Sequence, residues 1–266
     1  MLELLQFPFV QRALFGGIVV AVVLGWIGVY ATSRQMSFVG AGVAHASLAA
    51  IAFALLFSLQ PTLVSLVFAV LLGLFLYYLD TKTDVSRDTA IGILFSAGMA
   101  LGVVLLQFQK GYAPELSSFL FGNILSITNI DLWIVAAVGA LLAAVLAYFR
   151  KELLFLTIDS QGAYLNGVPR SVLDAFLYIA TAVSVVLSIK LVGIVLVTAL
   201  LVIPAASIKG YVHSFSKYIL FAVLLSIGIV LFGLVFSLWA DLPSGASIVL
   251  FGAILFLLSR IFVTKR

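Results

Sequence analysis

The sequence predicts an all-α fold, a polytopic integral membrane helix bundle of eight or nine transmembrane helices with a cytoplasmic C-terminus. Three observations carry that prediction. Of the 266 residues, 64% are hydrophobic and only 9% are charged, where a soluble domain carries roughly a quarter charged residues. The mean hydropathy is +1.31. Apolar runs near the roughly 20 residues that a helix needs to cross the hydrocarbon core recur along the chain. Backbone amides in lipid must be paired within their own segment, so these runs are helices rather than open strands.

Taken in order, the first span is expected at 12–31. Ahead of it, MLELLQFPFVQR contains Glu3 and no basic residue before Arg12. A secretory signal peptide starts with basic residues, so this first segment is expected to be retained. The next spans are expected at 38–57, 62–80, 90–107 and 132–149, each an apolar run bounded by polar residues. A polar loop over 150–171 follows. Spans at 172–188 and 191–208 come next, and little more than Lys190 divides them; a tight or half-membrane excursion there separates a total of eight from nine. The last two are expected at 217–240 and 246–262. No compact soluble insertion interrupts the series, so residues 1–266 read as a single transmembrane domain.

Charge gives the orientation. With this layout, eleven of the fourteen Lys and Arg residues fall on one side, among them Arg34, Arg87, Arg170 and Arg260, and only Arg12, Lys110 and Lys190 fall on the other. Basic residues concentrate in cytoplasmic loops, so the richer side is cytoplasmic. The net charge of +4 thus reports topology and not a nucleic-acid partner. SLQP, KGYAPELSS and DLPSG are left outside. Cysteine is absent, which excludes disulfides and thiolate metal sites. Small residues recur four apart in Gly17, Ala21 and Gly25, in Gly92, Ser96 and Ala100, and in Gly98 and Gly102. Such stripes let helix backbones approach closely and predict ordinary bundle packing.

Two polar features stand out. His45 lies in the middle of FVGAGVAHASLAA, with Ala41 and Ala49 four residues to either side and Gly42 and Ala46 on adjoining faces. The imidazole therefore sits on a helix face with little side-chain bulk around it, and an ionisable group within a span marks a pathway, relay or site. Imidazole also ligates borderline cations such as zinc. One histidine makes no closed metal site, so a metal role is a transient contact; the other reading is a hydrogen bond tying neighbouring helices together. His213 lies in the cytoplasmic turn KGYVHSFSK, where a solvated role is expected. In DSQGAYLNG, Asp159, Ala163 and Gly167 fall at i, i+4 and i+8, along one side of a short helix capped by Asp159 and ended near Gly167 and Pro169. That face either docks into a cytosolic partner or belongs to a plain connecting turn.

Absences narrow the function. There is no GxxxxGK[ST] and no HExxH, so neither ATP binding by a P-loop nor a zincin site is encoded. All ten acids fall near or beyond span ends, which disfavours a proton-driven carrier. An intramembrane enzyme would need a nucleophile or second ligand beside His45, and serines such as Ser47 and Ser96 come with no recognisable triad.

Six stretches in order, RQMSFVGAGVAHASLAAIA, DTAIGILFSAGMALGVVLL, FLFGNILSI, FLTIDSQGAYLNGVP, KLVGIVLVTALLVIPAA and DLPSGASIVL, resemble the permease subunits of ATP-binding-cassette importers for divalent metals, the zinc and manganese uptake family. The resemblance runs almost end to end. It implies a multi-pass permease of a prokaryotic cell membrane that works as a homodimer surrounded by lipid, with two cytoplasmic ATPase subunits and an extracytoplasmic metal-binding protein. It implies no enzyme activity and no cofactor bound by this chain, ATP acting through the partner subunit. The ion moved would be zinc, or else manganese or iron. The 159–167 segment becomes the helix that rests on the ATPase, with Asp159, Ala163 and Gly167 as its coupling residues. His45 matches the family's histidine, but Ala41 stands where an aspartate is common. Carboxylate suits manganese and imidazole suits zinc, so this departure favours zinc.

Overall fold

The computed structural model describes residues 7–108 and 128–263. KGYAPELSS, FLFGNILSI and Glu3 lie outside the described residues. Ten helices are seen among the described residues: α1 (Pro8–Ser33), α2 (Ser37–Leu56), α3 (Pro61–Lys82), α4 (Arg87–Gln107), α5 (Asn129–Tyr148), α6 (Arg150–Ile158), α7 (Ser160–Leu165), α8 (Arg170–Ile208), α9 (Phe215–Ala240) and α10 (Ser244–Val263). Eight of them are long and apolar enough to cross a membrane.

Local chemistry sets the helix starts. Pro8 and Pro61 open α1 and α3, where a missing N–H costs nothing because no intrahelical acceptor exists for it. Ser86 caps α4 by accepting from the Thr89 amide at 3.2 Å. Thr128 and Asp131 form a capping box at the start of α5, each side chain taking an otherwise orphaned amide.

The expected spans at 172–188 and 191–208 are joined as α8, but Gly193 breaks that helix with φ 80° and ψ 164°. The two arms fold back on each other. A methyl group at Gly40 would collide with Leu201 and touch Val185 at 3.6 Å, although sixteen residues of straight helix would hold those two about 24 Å apart. The reversal therefore falls at Gly193, three residues beyond Lys190. Its second arm, 194–208, is about 22 Å long at helical rise, shorter than the roughly 30 Å hydrocarbon core. Among the described residues there are eight membrane-length helices, one of them a hairpin, which is why the sequence allows a total of eight or nine spans.

Helix α8 is the hub, packing against α1, α2, α3, α9 and α10. Its residues Leu177, Val185, Leu191, Leu196 and Leu201 are buried in the central cluster. Large apolar side chains such as Leu63, Val67, Leu71 and Phe232 face outward, as lipid contact demands of a membrane helix. Of the predicted small-residue stripes, Gly17, Ala21 and Gly25 are buried, and Gly98 and Gly102 receive Ala46, Leu48 and Ala49 of α2. Gly92, Ser96 and Ala100 behave differently. They are exposed on α4, and nothing lies within 4 Å of a methyl group placed on Gly92. The expectation of packing inside the bundle thus fails for this stripe, because α4 turns its Gly98 side to α2 and leaves the opposite side uncovered.

Gly28 of α1 comes close to the backbone of the second arm of α8. A methyl group there would overlap the Leu201 carbonyl oxygen. Gly28→Ala is expected to destabilise the bundle by about 1–3 kcal/mol, the usual cost of overpacking, and thermal unfolding of the detergent-solubilised protein measures it.

Candidate functional site

His45 sits on the third turn of α2, half-buried, with Ala41 half-buried one turn before it. Residues four apart share a helix face, so the two form a shallow, small-volume strip. The imidazole packs against Phe95 of α4, ring centroids 4.3 Å apart at a tilt of 56°. That contact follows from the close approach of α2 and α4 allowed by Gly98, where an added methyl group would fall 2.7 Å from Ala46 Cβ.

Among the described residues, no hydrogen bond is formed by either His45 ring nitrogen, and no cluster of three metal-ligating side chains is present. The bundle-tying reading of His45 therefore finds no partner among the described residues. What the geometry supplies is a lone imidazole on a half-open face, steadied on one side by an aromatic ring. His213 is exposed in the turn between α8 and α9, as its flanking lysines led us to expect.

The 150–171 segment folds as α6 and α7. Asp159 caps α7, its Oδ1 accepting from the amides of Gln161 at 3.1 Å and Gly162 at 2.9 Å. The helix closes when the Gly167 and Val168 amides donate back to the carbonyls of Tyr164 and Ala163, both at 3.1 Å. Gly167 has φ +78°, the left-handed conformation that favours glycine at a helix end. The predicted face of Asp159, Ala163 and Gly167 does not turn outward as one surface. Asp159 and Gly167 are exposed, but Ala163 is fully buried, because its methyl group is small enough to seat α7 on the bundle. Tyr164 at 68% and Leu165 at 82% exposure form the outward apolar knob instead. Sequence reasoning missed both. In a six-residue helix with small residues at 160, 162 and 163, nothing in the spacing says which side faces in.

Three of the predicted span-end acids, Asp80, Asp131 and Asp174, are held in ion pairs. Asp131 at the start of α5 accepts from Lys190 Nζ at 2.5 Å, which fixes the α8 reversal to α5. At the opposite end, Asp80 and Asp174 meet Arg87 and Arg34 at 2.7 and 2.5 Å. Both ends of the α8 hairpin lie on that side. Asp174 meets Arg34 near the first, and Arg260 of α10 donates to the Ala206 carbonyl at 2.5 Å near the second.

A bundle of membrane-length helices, with a half-open imidazole strip and a short surface helix displaying apolar residues, is the architecture of a multi-pass membrane protein. The chain belongs to the ABC 3 transport family, whose profile matches residues 6–263. It is 33% identical over 263 residues to the manganese transport system membrane protein MntC of Listeria innocua, covering 99% of this chain and 94% of that one. It is 30% identical over 254 residues to the high-affinity zinc uptake system membrane protein ZnuB of Haemophilus influenzae, covering 96% and 97%. Among solved structures, PsaBC from Streptococcus pneumoniae in complex with Fab superposes with a TM-score of 0.86 at 32% identity, over 97% of this chain and 92% of that one.

Proposed function

We propose that this chain is the permease of an ATP-driven importer of divalent transition-metal ions, with zinc as the ion. The observation that carries the reading is the near full-length similarity to both a manganese and a zinc transport membrane protein. The partners are cytoplasmic ATPase subunits and an extracytoplasmic metal-binding protein, with a second copy of this chain completing the path. The exposed stripe of Gly92, Ser96 and Ala100 on α4, the least buried of the eight long helices, supports packing of a further helix, since small residues favour close helix association in lipid.

The strip supports zinc as the ion. The names of the relatives divide between manganese and zinc, whereas this chain presents His45 without a carboxylate at position 41. Imidazole alone suits zinc better than manganese. Weak, single-ligand contact also fits conduction, because an ion held tightly by three or four ligands would not leave.

Coupling is assigned to α7 and its flanks. Asp159 sets the helix by capping, Ala163 seats it, Gly167 lets the chain turn into α8, and Tyr164 and Leu165 supply the apolar contact for the ATPase. Leu165→Glu is expected to lower ATP-dependent uptake about tenfold or more, the loss of one well-buried anchor at an interface, with folding of the permease unchanged because the side chain is exposed. Co-purification with the ATPase checks it; undiminished capture of the ATPase would remove Leu165 from the docking surface.

The test of the reading is uptake of radiolabelled zinc into vesicles holding the permease, its ATPase and its binding protein. Uptake that requires ATP and resists excess manganese is expected. Uptake that persists without ATP and collapses with the proton gradient would replace the importer by a secondary carrier.

A further inference from the structure

Five residues close a polar ring at the cytoplasmic ends of four membrane helices. Arg34, at the corner between α1 and α2, donates from Nη2 to Asp174 Oδ1 of α8 at 2.5 Å. Arg87, the first residue of α4, grips Asp80 of α3 through Nε and Nη2 at 3.0 and 2.7 Å. Its Nη1 donates to the Arg34 backbone carbonyl at 2.7 Å. Tyr178, one turn beyond Asp174, donates its hydroxyl to Asp80 Oδ2 at 2.7 Å and returns the ring to α8. Arg170 Nε flanks Asp174 at 3.4 Å. These side chains surround a polar cavity of about 350 Å³.

The ring's position is informative. Helix α8 starts three residues after Gly167, so any displacement of α7 arrives first at Arg170 and Asp174. From there the ring leads to the starts of α2 and α4, the two helices that hold His45 and Phe95 against each other. The Asp174 side chain is only 10% exposed and Arg34 17%. Ion pairs so far out of water are stiff links, because leaving either partner alone is strongly unfavourable.

We propose that Asp174, held by Arg34 and braced through Arg87, Asp80 and Tyr178, is a positioning residue that carries movement of the 159–169 segment to α2 and α4 and so to the His45 strip. This rests on the coupling role given above to α7. The ring does not touch the ion. It makes the first two turns of α8 move as one body with the corner of α1 and α2.

The experiment measures ions moved per ATP hydrolysed in vesicles containing the full complex. Asp174→Asn, whose amide oxygen can still accept from Arg34, is expected to keep ATP hydrolysis and assembly near wild type while the ion-to-ATP ratio falls about tenfold, within the usual range of coupling between sites. Asp174→Glu, which keeps the charge, is expected to restore most of the ratio. Tyr178→Phe opens the ring without removing a charge, and about a threefold fall is expected for one net hydrogen bond. A wild-type ratio in Asp174→Asn and Tyr178→Phe would overturn the proposal. Loss of hydrolysis and assembly in step with transport would also overturn it, by making the ring a fastener only. Failure of the importer reading is distinct, because it would appear as ATP-independent uptake by the wild-type complex.

Discussion

Gly193→Val is expected to cost the permease about 3 kcal/mol or more, from backbone strain of roughly 1–3 kcal/mol added to a comparable overpacking term. At φ 80° and ψ 164° the residue occupies a region that only glycine visits freely. It is also buried, as are Val192 and Ile194 at 1% and 4% exposed, so a branched side chain adds bulk in the packed interior. The two arms of α8 depend on this reversal, and α8 touches most of the other long helices. The unfolding temperature of the solubilised protein should fall by roughly 5–10 °C, scaled from a few degrees per kcal/mol in domains of this size. Gly228→Ala is the matched comparison. It lies in α9 with nothing within 4 Å of the added methyl group, and alanine is favoured over glycine inside a helix by about 1 kcal/mol, so stability should hold or rise. Equal melting of the two variants would mean that the hairpin tolerates another backbone path at 193.

The same turn shows how far the sequence could be read. Hydropathy located both arms, because each is a long apolar run, and the charge bias placed both ends of 170–208 on one side, where the structure has them. It did not locate the turn, since Gly193 is one of 21 glycines and others, Gly28, Gly40 and Gly98 among them, serve packing instead. Lys190 drew attention as the polar residue in the run, yet it stays helical and reaches Asp131. His45 was legible for a simple physical reason: an imidazole in an apolar run needs an explanation wherever the helix packs. The polar ring was not, because Arg34 and Asp174 are 140 residues apart and each alone looks like a charge at the end of a span. Asp159 was legible as a cap because capping is local, within three residues of chain. Whether Ala163 faces in or out depends on the surface beneath it, which only the folded chain supplies.

His45 and Ala41 carry the second large effect. His45→Ala is expected to reduce ATP-dependent zinc uptake about tenfold or more, since the proposed path has the ion meet this imidazole and each tenfold change corresponds to roughly 1.4 kcal/mol. Packing alone would predict much less, because the ring is only half-buried and forms no hydrogen bond among the described residues. Ala41→Asp makes the sharper test. Side chains four apart on a helix have Cβ atoms about 5–6 Å apart, so a carboxylate at 41 and the imidazole at 45 could hold one ion together. Carboxylate oxygen favours manganese relative to an imidazole-only site, and manganese should then compete with zinc about tenfold more effectively than in the wild type, again roughly 1.4 kcal/mol of altered preference. Competition assays with radiolabelled zinc separate the possibilities. A changed manganese sensitivity in Ala41→Asp, abolished when His45→Ala is added, places the ion beside both residues. An unchanged preference, with uptake still lost in His45→Ala, would keep the imidazole in the path but move ion selection to the binding protein that delivers the metal. Full uptake by His45→Ala would take the strip out of the path altogether, and the imidazole would then be read through its contact with Phe95 alone.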